Sequence, residues 1–394
     1  MKSSLKYNCI FGGGGIRGMA YIGVIKALKE FNIEIESIAG SSVGSVFAFL
    51  YALGYNEDEI RDIFFDFNIN MFRDLNINLF TNDISISKGE IFLEWLREKA
   101  GRKIYGNKYE NQKIRFKDLE TDLYILTLDF NTNTPYIFSK DTTPDEEIAV
   151  AVRASAGLPG LMKPINFGNC LLVDGDLIKS WPAWKIYNKL NNSGTRMLEL
   201  RLEGSRDGSD IKNPMDYLNS IINTIWYLST ENVFNDYATN DRYDYIVIDA
   251  KDVILFDFTI DKTIKSELID KGYHAAKEYL STELPKKKKI IIEKYEKILS
   301  KIKILTNALN QNNPRDILFT LNDILSDMYE DTKYIDISIY EKIKELKECI
   351  TMNTKKQFLF PEKIVNEKQI KERNEFIKLL VEERINELRE YINI

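Results

Sequence analysis

The chain has 394 residues, of which 44% are hydrophobic, 12% aromatic and 29% charged, so a disordered, collagen-like or low-complexity protein is excluded. Its net charge of −6 argues against a dedicated nucleic-acid-binding protein. The three cysteines exclude a disulfide framework and indicate a reducing compartment, and the single histidine excludes a histidine-based metal site.

No segment resembles a secretion signal or a membrane span. The most apolar run, residues 43–53, is shorter than the roughly 20 residues that a bilayer requires. We therefore expect a cytoplasmic protein, with at most peripheral contact at the inner membrane face.

The first half of the chain alternates short strands and helices. A strand at 7–11 precedes the glycine-rich stretch GGGGIRG, residues 12–18, and a helix follows. A second strand at 35–39 precedes the sequence GSSVG and an apolar helix at 43–53. This order predicts an α/β core with a mainly parallel sheet and helices on both faces. Further strands are predicted at 123–129, 136–138, 171–173, 197–202 and 245–248.

Residues 56–101 carry many aromatic and large apolar side chains among Asn and Asp residues. These side chains form either the core of a helical excursion or an apolar cover over a lipid-sized cleft. The aromatic and large apolar residues are Phe64, Phe65, Phe67, Met71, Phe72, Leu75, Leu79 and Phe80.

Strand signals stop near Pro285, and four apolar stripes at helical spacing follow. Such stripes predict an all-α bundle. The last stripe, within 377–392, has charged neighbours and no glycine or proline, which suits a long exposed helix or an interchain contact. The stripes are Ile291, Tyr295, Ile298, Ile302 and Leu305; Ile317, Leu321, Ile324 and Met328; Ile339, Ile343, Leu346 and Ile350; and Ile377, Val381, Ile385, Leu388 and Ile392.

The glycine-rich stretch permits two interpretations. Gly13, Gly15 and Gly18 fit the dinucleotide-binding pattern G-x-G-x-x-G. That pattern requires an acidic residue about 20 positions later, at the end of the second strand, where this chain has Ala39 to Ser42. Consecutive glycines also leave backbone N–H groups free to face a developing negative charge, as an oxyanion hole requires.

The sequence GSSVG places Ser42 in a G-x-S-x-G pattern at a strand-to-helix junction. A serine on such a turn has an exposed hydroxyl at a helix N-terminus, where anions are favoured. Its base is either His274, the only histidine, or a carboxylate. The best carboxylate candidate is Asp174, which ends an apolar strand and precedes a glycine, and which we expect at the same sheet edge as Ser42.

Together these motifs resemble those of patatin-like phospholipases. Residues 12–18 resemble the oxyanion loop of that family, and residues 40–44 its nucleophile elbow. VDGD, residues 173–176, resembles the D-G-G or D-G-A motif of the catalytic acid. Residues 154–160 are similar to the A-S-x-x-x-P segment before that acid, and residues 255–280 to the terminal strand and helix.

The resemblance implies a patatin-like, three-layer α/β hydrolase-type domain over 5–282. It is silent on 283–394, which we expect to form a helical domain that serves regulation or homo-oligomerisation. The implied activity is a serine esterase that hydrolyses fatty-acyl esters of phospholipids or lysophospholipids at a membrane surface. The implied catalytic residues are Ser42 and Asp174, with no metal, cofactor or nucleic-acid partner.

The resemblance also implies an oxyanion hole and suggests a role for one arginine. The oxyanion donors are the backbone N–H groups of Gly13, Gly14, Gly15 and Val43. Arg17 either supports the loop or contacts the lipid phosphate. The chain departs from the family pattern at Asp176, which replaces a glycine or alanine, and at Ser180, where asparagine is common. Asp176 either raises the pKa of the catalytic acid by like-charge repulsion or points away.

Two other function classes stay open from the sequence. One is an acyltransferase or thioesterase with the same dyad, and the other is a scaffold protein that acts through its helical domain. Bacterial members of the resembled family can be effectors of antiviral defence, and by analogy we carry this role as a further expectation.

Overall fold

The computed structural model describes most of the chain, and its contacts define two compact units. The first unit comprises residues 1–235 with 244–278, and the second comprises 236–243 with 279–394. The described residues are 5–67, 87–177, 195–204 and 242–392, apart from 109, 111, 256, 258, 312–313, 332–333, 360–366 and 391, together with 211, 217, 220, 221 and 224. The predicted positions 71–80 and Ser180 lie outside the described residues.

Eight strands of the described chain form one mixed sheet in the order β5-β6-β3-β2-β1-β7-β8, and β4 also pairs with β3. Strand β1 pairs in parallel with β2 and β7, and β2 pairs in parallel with β3. The β3–β4, β3–β6 and β5–β6 pairs are antiparallel. The prediction of an α/β core with a mainly parallel sheet is confirmed. The strands are β1 Leu5–Phe11, β2 Ile33–Ser41, β3 Asp122–Asp129, β4 Thr134–Phe138, β5 Ile165–Phe167, β6 Cys170–Asp174, β7 Arg196–Glu203 and β8 Tyr243–Asp249.

Helices of the first unit pack on this sheet and on one another. Helix α2 is buried along most of its length, which explains its largely apolar sequence. Helices α1 and α6 approach closely at two glycines: a Cβ at Gly23 would lie 1.9 Å from the Ile269 carbonyl oxygen, and one at Gly272 would lie 1.9 Å from that of Ala20. The helices are α1 Ala20–Glu30, α2 Val43–Ala52, α3 Glu57–Phe65, α4 Glu90–Tyr105, α5 Ile148–Ser155 and α6 Lys262–Glu278.

The second unit is a four-helix bundle of α7 Leu284–Asn310, α8 Pro314–Glu330, α9 Ile337–Leu359 and α10 Glu367–Glu390. Its core contains every residue of the four predicted stripes except Ile392, which packs against the core while partly buried. The stripe of α10 is therefore buried inside the bundle of one chain, where its helical spacing is satisfied, and the expectation of a long exposed helix does not hold for this face. The expectation that residues 283–394 serve homo-oligomerisation stays a prediction. None of the helices described here is long and apolar enough to cross a membrane.

Candidate active site

Ser42 occupies a strained turn between β2 and α2. Its φ of 52° and ψ of −130° lie in a region that L-residues rarely adopt. Small neighbours permit the turn: a Cβ at Gly40 would lie 2.4 Å from the Gly44 carbonyl oxygen, and one at Gly44 would lie 2.0 Å from that of Phe11. The G-x-S-x-G spacing is therefore a packing requirement of this turn.

One edge of β3 brings Ser42 and Asp174 together. Strand β2 pairs with this edge up to Ser41, which lies opposite Leu126, and β6 pairs with its continuation, where Asp174 lies opposite Thr127. Strand β4 occupies the other edge at these positions. Because β2 and β6 meet end to end, the residue after β2 faces the last residue of β6.

Asp174 lies next to Ser42 as predicted, but for a different structural reason. The sequence suggested a strand that ends at the shared carboxyl edge of parallel strands. Strand β6 instead runs antiparallel to β3, and Asp174 reaches Ser42 because β6 stops where β2 stops.

The Ser42 and Asp174 side chains are in direct hydrogen-bond contact. Ser42 Oγ donates to Asp174 Oδ2 at 2.7 Å, and the backbone N–H of Asp176 donates to Asp174 Oδ1 at 2.8 Å. Asp174 is only 2% exposed. A Cβ at Gly175 would lie 2.0 Å from the Leu126 carbonyl oxygen, so the residue after Asp174 must be glycine for this corner to rest on β3.

The environment of Asp174 raises its pKa from 3.8 to about 7. Burial is the largest cause, because it penalises the charged form, and the charge of Asp176 is the second. The hydrogen bonds from the Ser42 hydroxyl and the Asp176 backbone act in the opposite direction. A carboxyl group with a pKa near 7 can exchange protons at neutral pH, as a general base must.

Ser155 holds the turn that carries Ser42, a role that its sequence position alone does not predict. Its hydroxyl donates to the Leu126 carbonyl oxygen at 2.5 Å and accepts from the Ser42 backbone N–H at 3.1 Å. Ser155 is fully buried. The available signal was its place in the A-S-x-x-x-P segment, where a polar residue ends an apolar helix.

The glycine-rich stretch leads from β1 into a short 3-10 helix, Gly15–Met19. The N–H groups of Gly13, Gly14, Gly15 and Val43 donate no hydrogen bond to any part of the chain that the structure describes. Gly15 and Val43 line the pocket described below, whereas Gly13 and Gly14 face Asp176 and Leu202. Of the four predicted oxyanion donors, two therefore belong to residues that line the pocket, and the other two belong to the adjoining residues of the same loop.

Arg17 belongs to this loop, and its side chain is buried. It is 4% exposed, its Nε donates to the Val253 carbonyl oxygen at 2.7 Å, and it does not line the pocket. Burial lowers the pKa of Arg17 to about 10, and the charge of Asp252 opposes this shift. Of the two roles expected for Arg17, its position favours support of the loop over contact with a lipid phosphate.

An apolar pocket, partly open to solvent, adjoins Ser42. Among its lining residues in the described chain, Ser42 and Asp174 are the only ones with polar side chains. Phe64 and Phe67, two aromatics of the 56–101 segment, contribute to both the core and this pocket. The lining residues are Gly15, Ile16, Ser42, Val43, Val46, Phe64, Phe67, Phe92, Ala156, Leu158, Leu161, Met162 and Asp174.

Two buried cationic side chains, Lys265 and Arg153, donate hydrogen bonds to backbone carbonyl groups near the residues that line the pocket. Lys265 Nζ donates to the Phe64 carbonyl oxygen at 2.9 Å and to that of Phe65 at 3.2 Å, at the end of α3. Arg153 Nε donates to the Gly89 carbonyl oxygen at 3.1 Å, and its Nη2 donates to that of Lys163 at 2.7 Å. Neither cation was predicted, because a single lysine or arginine in a sequence carries no sign of burial.

His274 lies away from this site on α6. His274 is exposed and does not line the pocket. Its ring packs edge-on against that of Tyr273, with the two ring centroids 5.4 Å apart. The geometry therefore favours Asp174 over His274 as the partner of Ser42. No group of three or more His, Cys, Asp or Glu side chains in the described residues is placed to hold a metal ion.

Replacing His274 with alanine is expected to change ester hydrolysis by less than about three-fold, because the ring takes no part in proton transfer. The measurement is the hydrolysis rate of a short-chain ester, compared with that of Lys277→Ala, an exposed neighbour on the same helix. A large loss in a folded His274→Ala protein would favour a Ser–His mechanism.

Comparison with known proteins identifies a family and several relatives. Residues 9–184 match the patatin-like phospholipase family. The chain is 29% identical over 293 residues to the uncharacterized protein R571 of Acanthamoeba polyphaga mimivirus, across 69% of this chain and 93% of that protein. It is 28% identical to the probable lipid hydrolase 463L of Invertebrate iridescent virus 6, across 46% and 64%. It is 28% identical to lysophospholipase NTE1 of Meyerozyma guilliermondii, across 53% and 13%.

The family match begins in β1 and ends beyond the Asp174 motif, so it includes the glycine-rich loop, the Ser42 turn and the catalytic-acid candidate. We conclude that this chain carries a patatin-like phospholipase domain over residues 9–184.

Proposed function

We propose that this protein hydrolyses fatty-acyl esters of phospholipids or lysophospholipids through a dyad of Ser42 and Asp174. The observation that carries the proposal is the 2.7 Å hydrogen bond from Ser42 Oγ to Asp174 Oδ2 in the wall of an apolar pocket. A serine hydroxyl held by a base at this distance is the arrangement that nucleophilic catalysis requires.

In the first half-reaction, Ser42 Oγ attacks the ester carbonyl carbon while its proton passes to Asp174. The carbonyl oxygen becomes an oxyanion, and the N–H groups of Gly15 and Val43, with those of Gly13 and Gly14, are the proposed donors to it. The tetrahedral intermediate then expels the lipid alcohol, which takes the proton from Asp174. An acyl group remains on Ser42.

In the second half-reaction, water attacks the acyl carbon and gives a proton to Asp174. The second tetrahedral intermediate breaks its bond to Ser42 Oγ, which recovers the proton from Asp174. The fatty acid leaves, and both side chains return to their starting states. One carboxylate therefore serves both steps, which a pKa near 7 allows.

The pocket composition supports a fatty-acyl substrate. Apart from the dyad, the lining residues of the described chain bear aliphatic or aromatic side chains or none. Burying a methylene group in such surroundings is worth about 0.8 kcal/mol, so a hydrocarbon chain binds there without a polar contact. In this binding mode the carbonyl group is the one polar part of the acyl group, and it lies next to Ser42.

The test is a product analysis with the full-length chain. Vesicles of phosphatidylcholine, and micelles of lysophosphatidylcholine, are incubated with wild type and with Ser42→Ala, and fatty acids are measured by mass spectrometry. We expect free fatty acid from at least one substrate with wild type and none above background with Ser42→Ala. A fluorophosphonate probe should label wild type at Ser42 only.

The same assay separates hydrolysis from acyl transfer. Addition of a primary alcohol or a thiol acceptor should leave free fatty acid as the main product, because water is the acceptor in our proposal. Acyl transfer to the acceptor in preference to water would contradict the hydrolase assignment. Labelling of Ser42 without turnover of any lipid would contradict the substrate class.

A further inference from the structure

A second buried serine–carboxylate pair lies beside the catalytic pair. Ser41 Oγ donates to Asp176 Oδ1 at 2.9 Å, next to the contact between Ser42 and Asp174. Ser41 and Asp176 are 0% and 1% exposed. Neither residue lines the pocket, so the second pair is not placed to attack an ester bound there.

Asp176 also contacts the glycine-rich loop. A Cβ at Gly13 would lie 2.5 Å from Asp176 Oδ2 and 2.7 Å from its Cγ, so the carboxylate occupies space that only a glycine leaves open. The backbone N–H of Asp176 donates to Asp174 Oδ1 at 2.8 Å. Asp176 therefore joins the strand before the nucleophile, the oxyanion loop and the catalytic carboxylate.

Other titratable groups face this region from neighbouring elements. Tyr21 comes from α1 and Glu199 from β7, and Arg201 forms an ion pair with Glu199 at 2.5 Å. Burial, followed by the charges of Asp176 and Glu199, raises the pKa of Tyr21, so its hydroxyl stays protonated. Among these groups, Asp176 is the one whose charge acts on Asp174.

We propose that Asp176 is a positioning residue that moves the pH range of the reaction upward, because its buried carboxylate is held by Ser41 next to the contact between Ser42 and Asp174 and its backbone binds Asp174. This inference rests on the proposed function, since it requires Asp174 to accept the Ser42 proton. Two neighbouring buried carboxylates do not readily ionise together. A base that holds its proton more tightly also removes the serine proton more readily.

The sign of the effect follows from which form is active. Asp174 must be ionised to accept a proton, and both burial and Asp176 favour its protonated form. Activity should therefore rise with pH through a midpoint near 7. Loss of the Asp176 charge should move the midpoint to lower pH and leave a weaker base on the plateau.

The test compares full-length wild type with Asp176→Asn, which keeps an acceptor for Ser41 and removes the charge. Rates of ester hydrolysis and of fluorophosphonate labelling are measured from pH 5 to 9. We expect the midpoint to fall by about one pH unit, so that the fraction of plateau activity at pH 6 rises about five-fold. The plateau rate itself should fall a few-fold.

Two further variants separate charge from structure. Asp176→Ala removes the contact with Ser41 as well as the charge, and it should shift the midpoint in the same direction. Glu199→Gln removes a different buried carboxylate that does not act on Asp174, and its midpoint should equal that of wild type. An unshifted midpoint in Asp176→Asn, with slower turnover in Asp176→Ala, would mean that Asp176 is only structural and would overturn the proposal.

The wild-type profile tests the proposal without any variant. A hydrolysis rate that is constant from pH 5 to 8 would contradict the role of Asp176 even if both of its variants fail to fold. A wild-type chain that neither hydrolyses esters nor labels at any pH contradicts the proposed function itself, which is a different result from an active enzyme with an unshifted midpoint.

Discussion

Replacing Ser42 with alanine or Asp174 with asparagine is expected to lower kcat/KM for lipid ester hydrolysis by at least about a thousand-fold each. The double variant should be at most a few-fold slower than either single variant, because the serine and its base act as one unit. The measurement is a double-mutant cycle on one fluorogenic acyl ester at pH 8, where Asp174 of wild type is ionised.

A matched control lies three residues along the same turn. Ser45 is buried, and its hydroxyl donates to the Ser42 carbonyl oxygen at 2.6 Å, without contact to the dyad side chains. Ser45→Ala loses one hydrogen bond, worth about 1 kcal/mol, and should retain activity within about ten-fold. Losses at Ser42 and Asp174 that add fully in the double variant would show that another group serves as the base.

Protein stability provides an independent readout for Asp174→Asn. The folded-state pKa of Asp174 is about 7, above its ordinary value of 3.8. The folded protein therefore holds a proton that the unfolded chain releases, and stability falls as pH rises through this window. Above pH 7 the Asp174 carboxylate is charged in the folded protein too, and the loss in free energy of unfolding is complete. The asparagine side chain carries no charge. At pH 8 the free energy of unfolding of the variant should therefore exceed that of wild type by up to about 4 kcal/mol, and its melting temperature should be higher.

If the glycine-rich loop supplies the proposed oxyanion donors, Gly15→Ala is expected to lower esterase activity at least about a hundred-fold, because the loop cannot keep its position. Gly15 has a φ of +56°, and a Cβ there would lie 2.1 Å from the Leu255 carbonyl oxygen. The left-handed conformation alone costs an alanine about 1–2 kcal/mol. The backbone clash forces a shift of the loop as well, and displaced oxyanion donors lose most of their effect. The measurements are turnover, fluorophosphonate labelling rate and melting temperature.

Gly168 provides the matched control for backbone strain. Its φ is +57°, close to that of Gly15, but a Cβ would meet no atom within 4 Å. Gly168→Ala should therefore lose about 1 kcal/mol of stability while turnover stays within about two-fold of wild type. Equal activity of the Gly15 and Gly168 variants would argue that the glycine-rich loop takes no part in catalysis.

The predictable parts of this protein are those in which a backbone constraint or a buried face leaves a mark on residue types. Gly40 and Gly44 mark the Ser42 turn because any side chain there would strike backbone. The stripes of the second unit mark a core because apolar residues recur on one face of each helix.

The unpredictable parts depend on which elements meet. The antiparallel course of β6 is set by pairing with β3, and no local pattern in 170–174 distinguishes it from a parallel strand. The contact of Asp176 with Ser41 joins positions far apart in sequence. The last helical stripe had the right spacing for either an internal or an external partner, and only the assembled bundle selects between them.

The shared edge of β3 has a consequence for how the chain tolerates changes in length. Between Asp129 and Cys170 the chain passes through β4, α5 and β5, yet Asp174 is held by its pairing with Thr127. The exposed turn at 131–133 should therefore accept an affinity tag or a fluorescent reporter with little effect on the distance between the Ser42 and Asp174 side chains. One residue inserted into β3 after Leu126 would instead shift the partner positions of Ser41 and Asp174 relative to each other.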